Sequence, residues 1–392
     1  MAARSFNPPR RFLMGPGPSD LHPRVLAALA RPTVGHLDPT FSAMMEELKG
    51  LLRYAFQTKN DLTIPISGPG SVGMETCFVN LVEPGDKVIV CQNGAFGGRM
   101  KENVERCGGE PIMVIDDWGK PVDPGKVEDA FKKNPGVKVL AFVHAETSTG
   151  AESDAAALCA LAKRNGALSI VDVVTSLGGI PVLTDRWGAD AVYSGSQKCL
   201  SCIPGLAPLT FNDAAAKRVK GRNRKVQSWF MDLGLVMSYW QAANARVYHH
   251  TAPINPLYAL HEALVMVEEE TLEKAWARHR TAHMALRAGI EAMGLRFHVA
   301  EPYRLPQLNT IVVPDGVDEA KVRTRLLADY DIEIGAGLGT LIGKVWRVGL
   351  LGQSASAVHV TLFLAAFEES LAEMKAPIKE GVAVTAAQAK LF

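Results

Sequence analysis

The sequence predicts an α/β fold, with a mostly parallel sheet covered by helices on both faces and a smaller α+β domain after it. Three observations carry that reading. Apolar, β-branched runs recur between stretches long enough to hold crossover helices. The runs are apolar throughout rather than alternating, as strands buried on both faces are. Beyond about Leu260 the pattern changes to long charged helices around a few short strands.

Taken in order, "LTIPI" (Leu62 to Ile66) is the first strand, followed by a glycine-rich turn and a helix from Ser71 to Val82. "KVIVC" (Lys87 to Cys91), "VKVLAFVH" (Val137 to His144), "ALSIVDV" (Ala167 to Val173) and "ADAVYSG" (Ala189 to Gly195) are the next strands. The turns leaving their C-terminal ends are rich in Gly, Ser, Thr and Asn, and open α/β sheets bind ligands at that edge. A charged helical stretch (His261 to Met293) leads into "LNTIVVP", a helix over Asp318 to Asp329, "IEIGAGLG", "KVWRVGLLG" and a terminal helix. The expected division is an N-terminal arm (1–21), a large domain (22–268) and a small C-terminal domain (269–392). No internal repeat or low-complexity segment interrupts it.

With 392 residues the chain is long enough for a large core. A net charge of +1 and 47% hydrophobic residues argue against disorder and against a polyelectrolyte role on nucleic acid. The longest uncharged stretches are too short, or too rich in Gly and Pro, to cross a membrane. The basic N-terminus MAARSFNPPRR lacks an apolar signal core, and Phe392 keeps Ala-Lys-Leu from being terminal, so a cytoplasmic protein is expected. Cys199 and Cys202 have CxxC spacing, but no second pair completes a zinc site, and packing is the expected role of all six cysteines.

Gly68-Pro-Gly70-Ser71-Val72-Gly73 fits G-x-G-x-x-G, yet the next strand ends Val90-Cys91-Gln92-Asn93 without the carboxylate that a dinucleotide ribose requires. What survives is a glycine turn opening a helix, which presents free N–H groups to a phosphate. Asp172 lies inside the apolar "SIVDVVTS", where a carboxylate is costly unless paired. It either caps the next turn or holds a protonated ring nitrogen. Lys198 follows at the same sheet edge, between Ser194-Gly-Ser-Gln197 and the uncharged Cys199 to Pro204. An imine-forming lysine needs such a neutral setting, which favours its free amine. Phosphate cradle, ring-nitrogen aspartate and lysine, in that order, are the parts of a pyridoxal phosphate site. Phe96 is either a stacking partner for the ring or a core residue. Ser148 in "ETSTG" either bonds the ring hydroxyl or builds the turn.

These stretches together resemble a class V aminotransferase of the alanine–glyoxylate and serine–glyoxylate group. The resemblance runs from "FLMGPGPSDLHPRVL" through "FQTKNDLTIPISGPG", "VDVVTSLGG" and "YSGSQK" to "YHHTAPINPLYAL" and "KVWRVGLLG". It implies a fold-type I pyridoxal phosphate transferase, its large domain built on a mostly parallel seven-stranded sheet. It implies that Lys198 binds the cofactor and shuttles a proton, and that Asp172 holds the ring nitrogen. Gly70, Ser71, Val72 and Gln197 then surround the phosphate and ring, Ser148 contacts the ring oxygen and Phe96 stacks. Tyr248 and Thr251 reach the phosphate of a neighbouring subunit, which implies a homodimer. Arg347 binds the substrate carboxylate, and the loop containing Gly17 lines the substrate pocket. The resemblance favours alanine over serine as amino donor to glyoxylate. Two departures bear on the donor: Phe96 replaces the tryptophan of similar alanine–glyoxylate enzymes, and Asn255 is similar to the serine–glyoxylate branch. No second arginine stands in a matching motif for a side-chain carboxylate. A nicotinamide oxidoreductase, a cysteine desulfurase and a non-enzymatic binding module are the rivals. The first leaves Lys198 unexplained, the second needs a cysteine later than Cys202, and the third has little use for a buried Asp172.

Overall fold

The computed structural model describes residues 4–240 and 246–391; residues 1–3, 241–245 and 392 lie outside it. Seven strands build the large sheet: β1 (Leu62–Ser67), β2 (Lys87–Gln92), β3 (Glu110–Ile115), β4 (Val139–Val143), β5 (Leu168–Asp172), β6 (Ala191–Tyr193) and β7 (Leu206–Phe211). Their order across the sheet is β1-β7-β6-β5-β4-β2-β3. Only β7 runs antiparallel to its neighbours. The central β4, "VLAFV", is buried at every residue, which is why its pattern does not alternate.

The pattern reading did not single out β3 and β7. In β3, "EPIMVI", most residues are part-exposed, because it lies at the sheet edge. Both edge strands carry a proline, Pro65 and Pro111, where a missing N–H can face away from any neighbouring strand. In β7 the pleat is interrupted by Pro208, set opposite Pro65 in register, so the strand reads weakly in isolation.

Helices Gly70–Leu81 and Ala95–Arg106 follow β1 and β2, and one core joins them to the sheet and to Ile254–Glu270. A second core unites helices Leu272–Ala292, Glu319–Tyr330, Ala357–Glu373 and Ala383–Leu391. These pack on a three-stranded antiparallel sheet of Leu308–Val312, Val345–Gly349 and Gly335–Ala336. The charged stretch expected as one helix is two, broken at Thr271 with φ 71. A β-branched residue rarely adopts that conformation. The break lets Leu257, Leu260 and Leu264 face the large core while Leu286 and Ile290 face the small one. The N-terminal chain returns to the second core: Phe12–Leu13 pairs in parallel with Ile332–Glu333, and Met14 is buried there. Among the described residues no helix is long and apolar enough to cross a membrane.

Candidate active site

The loops leaving β1, β2, β5 and β6 meet at one edge of the large sheet. Gly70, Ser71, Phe96, Asp172, Gln197 and Lys198 line a cavity of about 210 Å³ there, with Met74, Arg99, Val174 and Tyr193 among the remaining walls. The turn after β1 needs its glycine. Gly68 stands at φ +152, and a Cβ there would lie 2.6 Å from Val72 Cγ2. Val72 donates its N–H to Pro69 O at 2.7 Å and stays outside the cavity wall. No described residue accepts from the N–H groups of Gly70 and Ser71. Two free donors at the positive end of a helix form an anion cradle.

Lys198 is 9% exposed, and burial, reinforced by the positive charge of Arg347, pushes its ammonium down to about 8. Its neutral neighbours hold the loop. Ser19 Oγ donates to Lys198 O at 2.8 Å, and Ser196 Oγ donates to Ile203 O at 2.5 Å. Lys198 Nζ donates to Pro16 O, and a Cβ at Gly17 would come within 2.7 Å of Nζ. Gly17 is therefore against the lysine itself.

Asp172 ends β5 beside Tyr193 of β6. Its Oδ1 accepts from Val174 N–H at 2.8 Å and its Oδ2 from the Tyr193 hydroxyl at 2.7 Å. Burial nevertheless pushes the carboxyl up to about 6. Gln197 Oε1, also buried, has no partner among the described residues. Free N–H donors, an under-compensated carboxylate and an amine held near neutrality fit a phosphorylated pyridinium aldehyde.

Ser148 is fully buried and outside the cavity wall. Its hydroxyl donates to Glu146 Oε1 at 2.6 Å and accepts from Ala95 N–H at 2.9 Å. Arg347, on Val345–Gly349, is 7% exposed; Nε donates to Ala336 O at 2.6 Å and Nη1 to Thr147 O at 3.2 Å. Burial, opposed by Glu146, lowers its pKa to about 10. Tyr248 (57% exposed) and Thr251 are not part of the cavity formed by their own chain. The adjacent histidines bond each other, Nδ1 to Nδ1 at 2.8 Å, and His250 Nε2 meets Ser67 Oγ at 2.8 Å. Asn255 ties its amide to Leu29 O and Arg31 O, an anchoring contact inside the chain. Cys199 and Cys202 are buried, and burial pushes both thiols up to about 12.

The class-V aminotransferase family model matches residues 15–362. The chain belongs to that family. An (S)-ureidoglycine–glyoxylate transaminase from Bacillus subtilis is 38% identical over 98% of this chain and 96% of its own. The crystal structure of the ureidoglycine–glyoxylate aminotransferase from that species superposes with a TM-score of 0.96, at 39% identity, covering 99% of both chains. An alanine–glyoxylate aminotransferase from Nostoc sp. superposes at 0.92 with 44% identity, covering 95% of this chain and 98% of that one. The mouse alanine–glyoxylate aminotransferase is 38% identical over 94% of this chain and 89% of its own. The protein is thus a pyridoxal phosphate-dependent transaminase of fold type I.

Sequence reasoning passed over Tyr193, Glu146 and Arg99. The signal for Glu146 was present, because an acid in a run as apolar as "VLAFVHAE" must be paired or functional. Tyr193 could be found only through the β5–β6 register. Arg99 reaches the cavity wall from the turn of helix after Phe96, its guanidinium 4.8 Å from that ring's centroid.

Proposed function

We propose that the enzyme moves the amino group of a small neutral amino acid, alanine above serine, to glyoxylate, giving glycine and the donor's 2-oxo acid. The observation that carries the reading is Arg347. Two of its N–H groups are spent on backbone carbonyls and the rest face no described acceptor, so they are free for one carboxylate, and its charge already acts on Lys198. The relatives from Bacillus, mouse and Nostoc are glyoxylate transaminases that differ in donor. Their names support glyoxylate as acceptor, and they add (S)-ureidoglycine to the donors worth testing.

In the proposed site pyridoxal phosphate supplies the electron sink for the bond broken at the substrate α-carbon. Lys198 Nζ would take that proton from the substrate α-carbon and deliver it to the cofactor carbon that carries the amino group away. Asp172 keeps the ring nitrogen charged, and Tyr193 keeps Asp172 ionised. Gly70 and Ser71 N–H bind the phosphate, with Val72 shaping the turn and Gln197 beside it. Phe96 stacks on the ring. Ser148, whose proton is held by Glu146, acts by fixing Ala95 rather than by donating to the ring oxygen. Gly17 leaves Lys198 room to move. Tyr248 and Thr251 serve the phosphate of a second copy, so the working unit is a homodimer.

The test is kcat/KM for alanine, serine, (S)-ureidoglycine, aspartate and glutamate, each with glyoxylate and with pyruvate. Alanine with glyoxylate should lead. A preference for glutamate or aspartate would overturn the neutral-donor reading and point to Arg99 as a second carboxylate site.

A further inference from the structure

We propose that Glu146 is a positioning residue for the cofactor ring: it caps, from a different loop, the helix that presents Phe96. The inference rests on the proposed stacking role of Phe96.

Helix Ala95–Arg106 opens at Gly94, and a glycine offers no side-chain acceptor for the orphan N–H groups of a first turn. Asn, Asp or Ser would be the ordinary residue at such a position. None fits here. A Cβ at Gly94 would lie 2.4 Å from Glu146 Cδ and 2.5 Å from Ser148 Oγ. The space that a cap side chain needs is thus filled by the residues that replace it. Ser148 Oγ accepts from Ala95 N–H at 2.9 Å. Glu146 Oε1 orients that hydroxyl by accepting its proton at 2.6 Å, and it also accepts from Ser148 N–H at 3.0 Å.

Glu146 has no exposure, and its Oε2 has no partner among the described residues. A carboxylate buried for packing alone would be replaced at no loss by an apolar group, since its desolvation costs more than one missing bond. Here the Glu146 Oε1 acceptor sits at the N-terminus of the helix, where the dipole favours an electron-rich oxygen. Glu146 therefore links the β4 loop, through Ser148, to the backbone of Ala95, the residue before Phe96. A shift of a few tenths of an ångström at Ala95 tilts the Phe96 ring, and with it the plane against which the cofactor lies.

The test compares Glu146→Ala, Glu146→Gln and Phe96→Ala as holoenzymes with pyridoxal phosphate. Three readouts are used: the cofactor dissociation constant, the visible circular dichroism of the bound cofactor, and amide hydrogen exchange over residues 93–100. Glu146→Ala should weaken cofactor binding about tenfold, change the visible dichroism and speed exchange at Ala95 and Phe96 by tenfold or more. Glu146→Gln keeps the Oε1 acceptor and should stay within about threefold of wild type on all three. If Glu146→Ala does not fold, slow exchange at Ala95 in Glu146→Gln together with wild-type dichroism still supports the cap, and fast exchange there refutes it. Wild-type dichroism and exchange in a folded Glu146→Ala overturn the proposal while leaving the site reading intact, provided Phe96→Ala is altered. Wild-type dichroism and affinity in Phe96→Ala overturn the stacking role, and the proposal with it.

Discussion

Lys198 shows how one residue's chemistry is set by what its neighbours lack. Its amine is held near neutrality by burial first and by Arg347 second. Capture of added pyridoxal phosphate by the cofactor-free enzyme should therefore rise with pH through about 8, following the free amine, rather than through the ordinary lysine value of 10.5. Stopped-flow absorbance checks it. Lys198→Ala should lose the visible cofactor band and several orders of magnitude in turnover while keeping its far-ultraviolet dichroism. Tyr193 is the second test at this scale. Removing its hydroxyl strands one Asp172 oxygen in a buried site, a loss of about 1–3 kcal/mol. Tyr193→Phe should weaken cofactor affinity roughly ten- to hundredfold by fluorescence titration, and an unchanged affinity would dismiss the bond at 2.7 Å as incidental.

Among the elements, the loop after β4 carries the most concentrated electrostatic tension. Burial pushes Glu146 up to about 7 from an ordinary 4.5. The folded chain thus holds a proton across that window after the unfolded chain has released it. Wild type should lose stability relative to Glu146→Gln as pH rises from 4.5 to 7, by up to about 3 kcal/mol, and lose nothing further above 7. Paired thermal melts of the cofactor-free proteins at several pH values measure the difference. The pairing cancels the opposing contribution of His250 and His279, whose pKa values burial lowers. A difference independent of pH would mean that Glu146 keeps an ordinary pKa. The N-terminal turn is equally constrained, because a Cβ at Gly17 meets Lys198 and its φ is +108. Gly17→Ala should retain the fold and slow cofactor capture by tenfold or more.

At the scale of the whole molecule, the cavity has cofactor groups on one side and exposed Tyr248 and Thr251 elsewhere on the same chain. The homodimer proposal puts them together. Tyr248→Phe and Thr251→Ala should each weaken cofactor binding by roughly 1–3 kcal/mol. Hybrids of Lys198→Ala and Tyr248→Phe subunits provide the geometric test. If the hydroxyl crosses the interface, each hybrid contains one site free of both defects and one with both, and it regains about half of the wild-type activity. Activity no higher than the mean of the parents would place both groups in one chain. The His249–His250 pair, tied to Ser67 just before the phosphate turn, connects this exposed segment to the cavity through side chains.

The residues alone determined the parallel sheet, its ligand edge and the chemical parts placed there. Unbroken apolar strands, a glycine turn, an acid in a strand and a lysine among neutral residues are local signals, each with a local physical cause. Strands β3 and β7 were less legible because half-exposed positions in the one and prolines in both blur their pattern, and the split at Thr271 depends on two cores lying apart. Tertiary structure alone decided who serves whom. It assigned Tyr193 to Asp172 through strand register, Ser148 to Glu146 rather than to the cavity, and Pro16 and Gly17 to Lys198 from about 180 residues away. Those partnerships join segments distant in the chain, and hydrogen bonds and desolvation depend on distances in space that no run of neighbouring residues encodes.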